Sequence, residues 1–230
     1  MRRSFAGIAA RAFAAALLAG LLLSALSVLA LRWLAPPVTA MMLEQPGPGG
    51  DLEYQWVDRA AISVAAARAV IAAEDQRFFE HHGLDFESIE RALDEHEAGD
   101  DLRGASTITQ QVAKNLFLWP GRSFVRKGLE AYFALLIEAL LPKQRILEIY
   151  LNVAELGPGV FGVEAAARRY FGTSAARLTA SQAALLAAVL PNPRRLSAER
   201  PSAYVRGRQA WVLEQMTLLE TRGHYRALAW

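Results

Sequence analysis

Residues 104–118 read GASTITQQVAKNLFL and combine the polar groups of a ligand site with the spacing of a helix. Thr107 and Gln110 match the S/T-x-x-Q capping box, which predicts that a helix begins just after Thr107. Lys114 follows Gln110 by four residues and Gln111 by three, so an ammonium group and two amides share one helical face. That face suits an oxyanion-rich ligand, whereas the capping pair alone has a purely structural explanation.

The carboxylate of Glu74 stands out in the preceding signature, AAEDQRFFEHHGLD (72–85). It follows the apolar run 65–73, which a single arginine interrupts. Partial burial there raises the pKa of a carboxyl group and makes it a better proton acceptor near neutral pH, as a general base requires. The alternative is a surface acid at a helix end. A carboxylate at that position opposes the helix dipole, so stability explains it poorly.

Three charged residues lie near the start of the signature that follows, VRKGLEAYFALLIEALLPKQRILEIYLN (125–152). Arg126 and Lys127 precede Glu130 by four and three residues, a spacing that by itself indicates modest ion pairing on a helix surface. With Lys114 nearby, the same cations would neutralise a pyrophosphate, because arginine supplies a planar fork and lysine a point charge. Glu130 would then orient the cations or contribute a second carboxylate.

His81 and His82 do not indicate a metal site. They adjoin acidic residues, but there is no H-x-x-x-H pair and no third ligand at a usable spacing. A structural histidine beside a turn at Gly83 is the favoured interpretation.

The sequence also allows predictions for one glycine and two short segments. Gly104 would let the backbone approach a ligand closely. The acidic stretch 94–101 is a solvated loop, because its charge density makes burial costly. Residues 116–119, LFLW, either pack in the core or, in a membrane-tethered domain, dip into the bilayer, and the sequence leaves both options open.

The uncharged run 12–31 is long enough to cross a membrane as one helix, since its residues span roughly 30 Å at about 1.5 Å each. Three arginines precede it, whereas Arg32 is the only cation just beyond it. The positive-inside rule therefore places the N-terminus in the cytoplasm. A signal peptide cleaved near residues 38–40 is the alternative. The apolar core of a signal peptide usually has about 7 to 15 residues. The run 12–31 is longer, which favours the uncleaved anchor.

The remaining pattern predicts one mostly α-helical domain. We expect a cytoplasmic N-terminus (1–11), a transmembrane helix (12–33), a Pro/Gly-rich linker (34–50) and an exported domain (51–230). Apolar residues recur at three- and four-residue spacing, and no convincing alternating strand pattern is present. Helix caps are expected at Ser123 and at the Thr179/Gln182 pair, with Pro142 interrupting the helical pattern. The predicted helical segments are 60–73, 86–93, 112–118, 124–141, 145–151, 160–170, 180–189 and 204–219.

Composition limits the class of protein. A chain of 230 residues with 53% hydrophobic content can bury one core and carry an accessory segment. The absence of cysteine excludes a disulfide framework, a thiolate metal site and a thiol nucleophile. The net charge of +2, without a long basic tract, gives little support to nucleic-acid binding.

Five ordered motifs resemble those of the family 51 peptidoglycan glycosyltransferases. They are EDQRFFEHHGLD, GASTITQQVAKN, RKGLE with KQRILEIYLN, GVFGVEAAARRYFG and LTASQAALLAAVLPNP, and they cover roughly residues 72–193. Ordered motifs at compact spacing are far more specific than any one alone. The chain is most similar to the monofunctional members. The sequence lacks the S-x-x-K and K-T-G motifs of a transpeptidase domain. About 37 residues follow Pro193, which are too few for such a domain.

The resemblance implies a lysozyme-like α fold in two lobes that polymerises lipid II into β-1,4 glycan strands at the outer face of the cytoplasmic (inner) membrane. It implies that Glu74 takes the proton from the acceptor's 4-hydroxyl while the cations stabilise departing undecaprenyl pyrophosphate. Glu130, the second catalytic carboxylate, would organise those cations or contact a metal. The residues expected to bind substrate are Thr107, Gln110, Gln111, Lys114, Asn115, Arg126 and Lys127.

The resemblance also sets expectations about ligands. The expected partners are lipid II, the nascent glycan strand and membrane lipid, with cell-wall synthesis proteins as further candidates and no nucleic acid. No cofactor is assigned, and a divalent cation, Mg²⁺ or Mn²⁺, is left open as an aid to pyrophosphate departure, although no D-x-D motif is present. Two alternative functions are a lysozyme-like enzyme that cleaves glycan, which also relies on glutamate, and a non-catalytic membrane scaffold.

Overall fold

The computed structural model describes residues 2–88, 90, 106–121, 123–228 and 230, with side chains from residue 7 onward. Three expectations therefore lie wholly or partly outside the described residues: the backbone approach at Gly104, the acidic loop 94–101 and the end of the helical segment 86–93.

The prediction of a mostly α-helical protein is confirmed. The α-helices with both ends in the described residues are α1 (Arg2–Ala30), α2 (Ala40–Glu44), α3 (Val64–Glu74), α4 (Ile108–Phe117), α5 (Phe124–Leu140), α6 (Lys143–Val153), α7 (Val163–Phe171), α8 (Ala180–Val189) and α9 (Ala203–Thr221). Short 3₁₀ turns lie at Pro48–Gly50, Arg59–Ala61, Ala175–Arg177 and His224–Ala227.

The expected helix caps are also confirmed. Ser123 accepts a hydrogen bond from the backbone N–H of Arg126 at the start of α5. Complete capping boxes begin α4 at Thr107 and α8 at Thr179. Pro142 separates α5 from α6, because its ring cannot continue a helix.

A small sheet is present that the pattern did not predict. Its strands β1 (Glu53–Tyr54), β2 (Glu155–Gly157) and β3 (Val160–Phe161) run in the order β1-β3-β2, with β1 parallel and β2 antiparallel to β3. Strands of two or three residues are too short to show an alternating pattern. The predicted helix 160–170 is accordingly wrong at its start, since 160–161 belong to β3. The predicted helix 60–73 begins late, at Val64 behind the cap Ser63.

The helices form two packed groups. Helices α3, α8 and α9 pack on one another, and α4, α5 and α6 make the second group. Contacts of α3 with α6, and of α7 with both α6 and α8, join the two groups. The C-terminal end of α3 thereby meets α4, and the site lies at this junction.

Helix α1 contains a segment long and apolar enough to cross a membrane, Gly7–Ala30, with a mean hydropathy of 2.4. Its C-terminal part touches the domain, where Ser24 Oγ lies 2.7 Å from Tyr132 Oη of α5. Beyond the helix, the Arg145 guanidinium donates to the carbonyl oxygens of Leu31 and Leu34 at 2.7 and 2.8 Å. The anchor segment and the domain are therefore joined by specific polar contacts.

The segment predicted as a Pro/Gly-rich linker contains the short helix α2. Thr39 caps it by accepting from the N–H of Met42, and the side chains of Met41 and Met42 are buried. The Arg194 guanidinium donates to the carbonyl oxygens of Gln45 and Pro46. This segment is thus attached to the domain rather than separate from it.

Gly162 provides a test of the turn that leads into α7. Its φ is 83°, and a Cβ there would collide with the carbonyl oxygen of Asn152. We expect Gly162→Ala to lower the free energy of unfolding by about 3 kcal/mol, which is about 6 to 12 °C in Tm. Gly207→Ala is the control, because Gly207 lies exposed inside α9 with no atom near its added Cβ, and it should be neutral or gain up to about 1 kcal/mol. Equal melting temperatures for both variants would contradict this account.

Candidate active site

Glu74 is the last residue of α3, and its side chain is only 13% exposed. The Gln111 amide of α4 donates to Oε2 at 2.8 Å. The other carboxylate oxygen, Oε1, lies 3.8 Å from a guanidinium nitrogen of Arg208 in α9. The carboxylate is therefore held between side chains from both helix groups.

Burial raises the pKa of Glu74 above its ordinary value, as the sequence predicted. The nearby Asp75 carboxylate adds to the rise. The Gln111 hydrogen bond and the charges of Arg208 and Lys114 oppose it. A carboxylate with a raised pKa, partly stabilised as an anion, is suited to accept a proton near neutral pH.

Asp75 explains why Glu74 meets α4. Its carboxylate accepts a hydrogen bond at 2.9 Å from the backbone N–H of Ile108, the first residue of α4. Both carboxylate oxygens also lie 3.0 Å from His81 Nε2. An anion at a helix N-terminus is favourable, so this contact fixes the end of α3 against the start of α4. The predicted structural role of His81 agrees with this arrangement.

Lys114 is half-buried on α4, and burial lowers the pKa of its ammonium group. The Glu130 and Glu74 carboxylates oppose the shift, and the neighbouring Arg126 and Lys127 add to it. Within the part of the chain that the structure describes, Nζ has neither a hydrogen-bond nor an ion-pair partner. The ammonium is thus a cation available to a ligand, although it senses both carboxylates.

Glu130 holds the other two cations. It is buried in α5, where one oxygen accepts from Arg126 Nη1 at 2.9 Å and the other from Lys127 Nζ at 2.5 Å. Lys127 also donates to Ser106 at 3.2 Å. The Arg126 Nε atom is buried without a partner in the described structure. The Glu130 carboxylate therefore holds the Arg126 and Lys127 side chains next to each other.

Two cavities are lined by these residues. The larger, about 460 Å³, contains Lys114 and Arg126 on its walls, with Gln111 at its inner side. The smaller, about 240 Å³, is lined by Glu74 together with Asp75, Ser106 and other residues. Because Gln111 lines the first cavity and bonds Glu74, which lines the second, Glu74 lies close to the cavity that holds Lys114 and Arg126.

The other predicted substrate-binding residues differ in their availability. Asn115 is mostly buried and lines the larger cavity. Thr107 and Gln110 are occupied by the capping box, and the Thr107 hydroxyl also donates to the Gly83 carbonyl at 2.6 Å. Their polar atoms thus stabilise α4, although Thr107 borders the smaller cavity.

The donor set does not fit a divalent cation. Among the described residues there is no group of three or more histidines and acids arranged to hold a metal ion. Both oxygens of Glu130 face cations, which would repel a metal.

The predicted core location is confirmed for three residues of the segment 116–119, and the structure does not test the bilayer location. Leu118 is buried, and Leu116 and Phe117 pack against the core, with Phe117 stacked on Phe133 at 4.5 Å between ring centroids. Trp119 is 47% exposed and borders the larger cavity.

Several site residues were missed by sequence reasoning. Arg208 lies in a helix with no recognisable motif, and Tyr150, inside a quoted motif, looks like a core aromatic. The Glu155–Arg194 pair, 3.1 Å apart, lies at the larger cavity, and burial raises the pKa of Glu155. A signal existed only for Asp75, which stands next to Glu74 at a predicted helix end.

One family model and several known proteins are similar to this chain. Residues 42–217 match the family model described as Transglycosylase. A protein of Rhodospirillum centenum is 55% identical over 214 residues, which cover 91% of each chain. One from Stutzerimonas stutzeri is 55% identical over 203 residues (86% of this chain and 84% of its own), and one from Pseudomonas aeruginosa is 54% identical over 199 residues (84% and 86%). Each of the three is named biosynthetic peptidoglycan transglycosylase.

Proposed function

Since this chain belongs to the transglycosylase family, we propose that it joins lipid II units and releases undecaprenyl pyrophosphate at each step. It is a peptidoglycan glycosyltransferase, an enzyme that polymerises glycan strands. The observation that carries the finer proposal is the placement of a largely shielded carboxylate, Glu74, at one cavity and of Lys114 and Arg126 on the walls of the other, with Lys127 paired to the same carboxylate as Arg126.

In the proposed reaction, Glu74 removes the proton from the 4-hydroxyl of the acceptor's terminal N-acetylglucosamine. The freed oxygen attacks C1 of the donor's N-acetylmuramic acid, and the bond from C1 to the pyrophosphate oxygen breaks. The α-linked donor becomes a β-1,4 linkage because attack occurs opposite the leaving group. Gln111 supports this assignment, since its amide stabilises the anionic form of Glu74 that accepts the proton.

The leaving group gains negative charge as the bond breaks, and fixed cations there act where that charge develops. We assign Lys114 to direct contact with the pyrophosphate, since its ammonium has no partner in the described structure. Arg126 and Lys127 add to the positive field, with Glu130 as their organiser. Three cations less one carboxylate leave two positive charges, which suits a pyrophosphate ester.

We further propose that α1 anchors the chain in the cytoplasmic membrane, with the N-terminus in the cytoplasm and the domain outside. The arginines before the apolar run support this topology. Exposed apolar side chains at the start of α5, Phe124 and Val125, support contact between the domain and lipid. Donor and acceptor both carry polyprenyl tails, so a tethered enzyme meets them at a raised local concentration.

A polymerisation assay separates this function from its alternatives. The purified full chain in detergent micelles, given labelled lipid II, should lengthen glycan chains and leave mature peptidoglycan intact. Release of soluble muropeptides from mature peptidoglycan would instead support a lysozyme-like cleaving enzyme, for which the cations have no use. Absence of both activities in a folded protein would support a scaffold.

A further inference from the structure

Gln111 has two possible orientations at Glu74, and only one of them serves a general base. A carboxylate can only accept hydrogen bonds, so the amide nitrogen of Gln111 must face it while Glu74 is ionised. With the amide reversed, the oxygen of Gln111 would face Glu74 and would stabilise the protonated acid instead. Whatever fixes this amide therefore acts on the protonation state of Glu74.

Tyr150 of α6 makes the contact that decides the orientation. Its hydroxyl lies 2.9 Å from Gln111 Oε1, while Gln111 Nε2 lies 2.8 Å from Glu74 Oε2. The side chain of Tyr150 is 1% exposed. Burial and the nearby carboxylates of Glu74 and Asp75 raise its pKa well above the ordinary value, so the phenol stays protonated and donates.

Reversal of the amide would leave the Tyr150 hydroxyl hydrogen facing the NH₂ group of Gln111. In the described structure this hydroxyl has no other acceptor, and a buried donor without an acceptor is costly. The cost falls only on the reversed arrangement, which is the one that favours protonated Glu74.

We propose that Tyr150 is a positioning residue for the glycosyl transfer, acting through Gln111 to keep a hydrogen-bond donor aimed at the base Glu74. The proposal rests on the proposed role of Glu74. Tyr150 borders the larger cavity but is only 1% exposed, and its hydroxyl is engaged by Gln111, so we assign its effect to Gln111 and not to contact with the sugar.

Other charges also act on Glu74 and remain in place when Tyr150 is changed. Lys114 of α4 and Arg208 of α9 favour the carboxylate, and Asp75, which is paired with His81, opposes it. A variant that removes only the Tyr150 hydroxyl leaves these four groups as they are. Its effect on Glu74 therefore reports the orientation of Gln111.

The test is Tyr150→Phe in the full chain. We expect the acid limb of the pH profile of kcat/KM to move upward by about one pH unit, a tenfold change in the ionisation constant of Glu74. The direction follows because loss of the donor makes the reversed amide, and with it protonated Glu74, easier to form. Activity at neutral pH should fall up to about tenfold and recover at higher pH, where Glu74 ionises again.

Tyr225→Phe is the matched control. Tyr225 is also buried, and its hydroxyl donates to the Arg68 carbonyl at 3.0 Å, away from Glu74. It should lose comparable thermal stability while the acid limb stays at its wild-type position. A shift of equal size in both variants would make the effect of Tyr150→Phe a general loss of structure.

Two further measurements keep the proposal testable if Tyr150→Phe folds poorly or if Glu74 is not the base. Gln111→Leu should move the acid limb in the same direction, and adding Tyr150→Phe to it should produce no further shift. Independently of turnover, the ¹³C carboxyl resonance of Glu74, assigned by its absence in Glu74→Gln, should titrate at higher pH in Tyr150→Phe. An unchanged midpoint in the folded variant overturns the inference, whereas full activity of Glu74→Gln overturns the base assignment alone.

Discussion

Glu74→Gln should lower kcat for glycan polymerisation by about 10² to 10⁴, the usual contribution of a positioned general base. The amide keeps the size of the side chain and can still accept from Gln111, but it cannot take a proton from the attacking hydroxyl. The measurement is the initial rate of lipid II polymerisation. Glu220→Gln is the control, because Glu220 is an exposed carboxylate paired with Arg68 and lies outside the site. Undiminished turnover in Glu74→Gln would defeat the assignment.

The same variant should retain or gain thermal stability at neutral pH. The pKa of Glu74 is raised in the folded protein, so its ionisation favours the unfolded chain, and this cost grows as pH rises from the unfolded pKa to the folded pKa. At acid pH below both values Glu74 is neutral in either state, and the difference in Tm between variant and wild type should shrink. A large loss of Tm at pH 7 would instead give Glu74 a structural role.

Lys114→Ala should reduce kcat/KM by about 10² to 10³, because the proposed mechanism loses a fixed positive group at the leaving pyrophosphate. Exposed ion pairs are worth only about 0 to 1 kcal/mol, so a loss of this size cannot come from surface pairing. Lys143→Ala is the matched control. Lys143 is also a shielded lysine, but it pairs with Glu138 at 2.7 Å and lies at neither cavity, so its loss should affect stability more than turnover. Equal kinetics in both variants would remove Lys114 from the mechanism.

The loss of polymerisation activity at alkaline pH provides a second test of Lys114. Burial lowers the pKa of its ammonium, so the charge, and with it the activity, should be lost at a pH below the ordinary range for lysine. Lys114→Arg keeps a charge at all accessible pH values. We expect this variant to lose part of its rate near neutral pH but to shift its alkaline limb upward, and a limb that stays in place would assign that limb to another group.

Much of the site followed from local rules. The apolar run before Glu74 predicted its burial, and the spacing within 104–118 predicted both the start of α4 and the face that carries Gln111 and Lys114. These features depend on residues close in sequence, so helical periodicity and capping chemistry are sufficient to place them. The pairing of Glu130 with Arg126 and Lys127 had the same local origin, although its depth of burial did not.

The parts that escaped prediction depend on contacts between distant segments. Arg208 reaches Glu74 from the last long helix, and nothing in its own neighbourhood distinguishes it from a surface arginine. Tyr150 fits the core pattern of α6, and the partner of its hydroxyl is set only when α4 packs against it. Likewise, α2 forms because Met41 and Met42 find a buried position, which outweighs the flanking prolines and glycines.

The hydrogen bonds from Arg145 to the carbonyl oxygens after α1 affect how the domain would be held relative to a membrane. In a bilayer, a domain hung from a loose chain would tumble, and its opening would face the lipid surface only part of the time. In the membrane arrangement proposed above, a domain held to α1 by these contacts would keep one height and one tilt above the bilayer. Its proposed encounters with lipid-carried sugars would then be confined to two dimensions, with the opening kept towards the lipid surface.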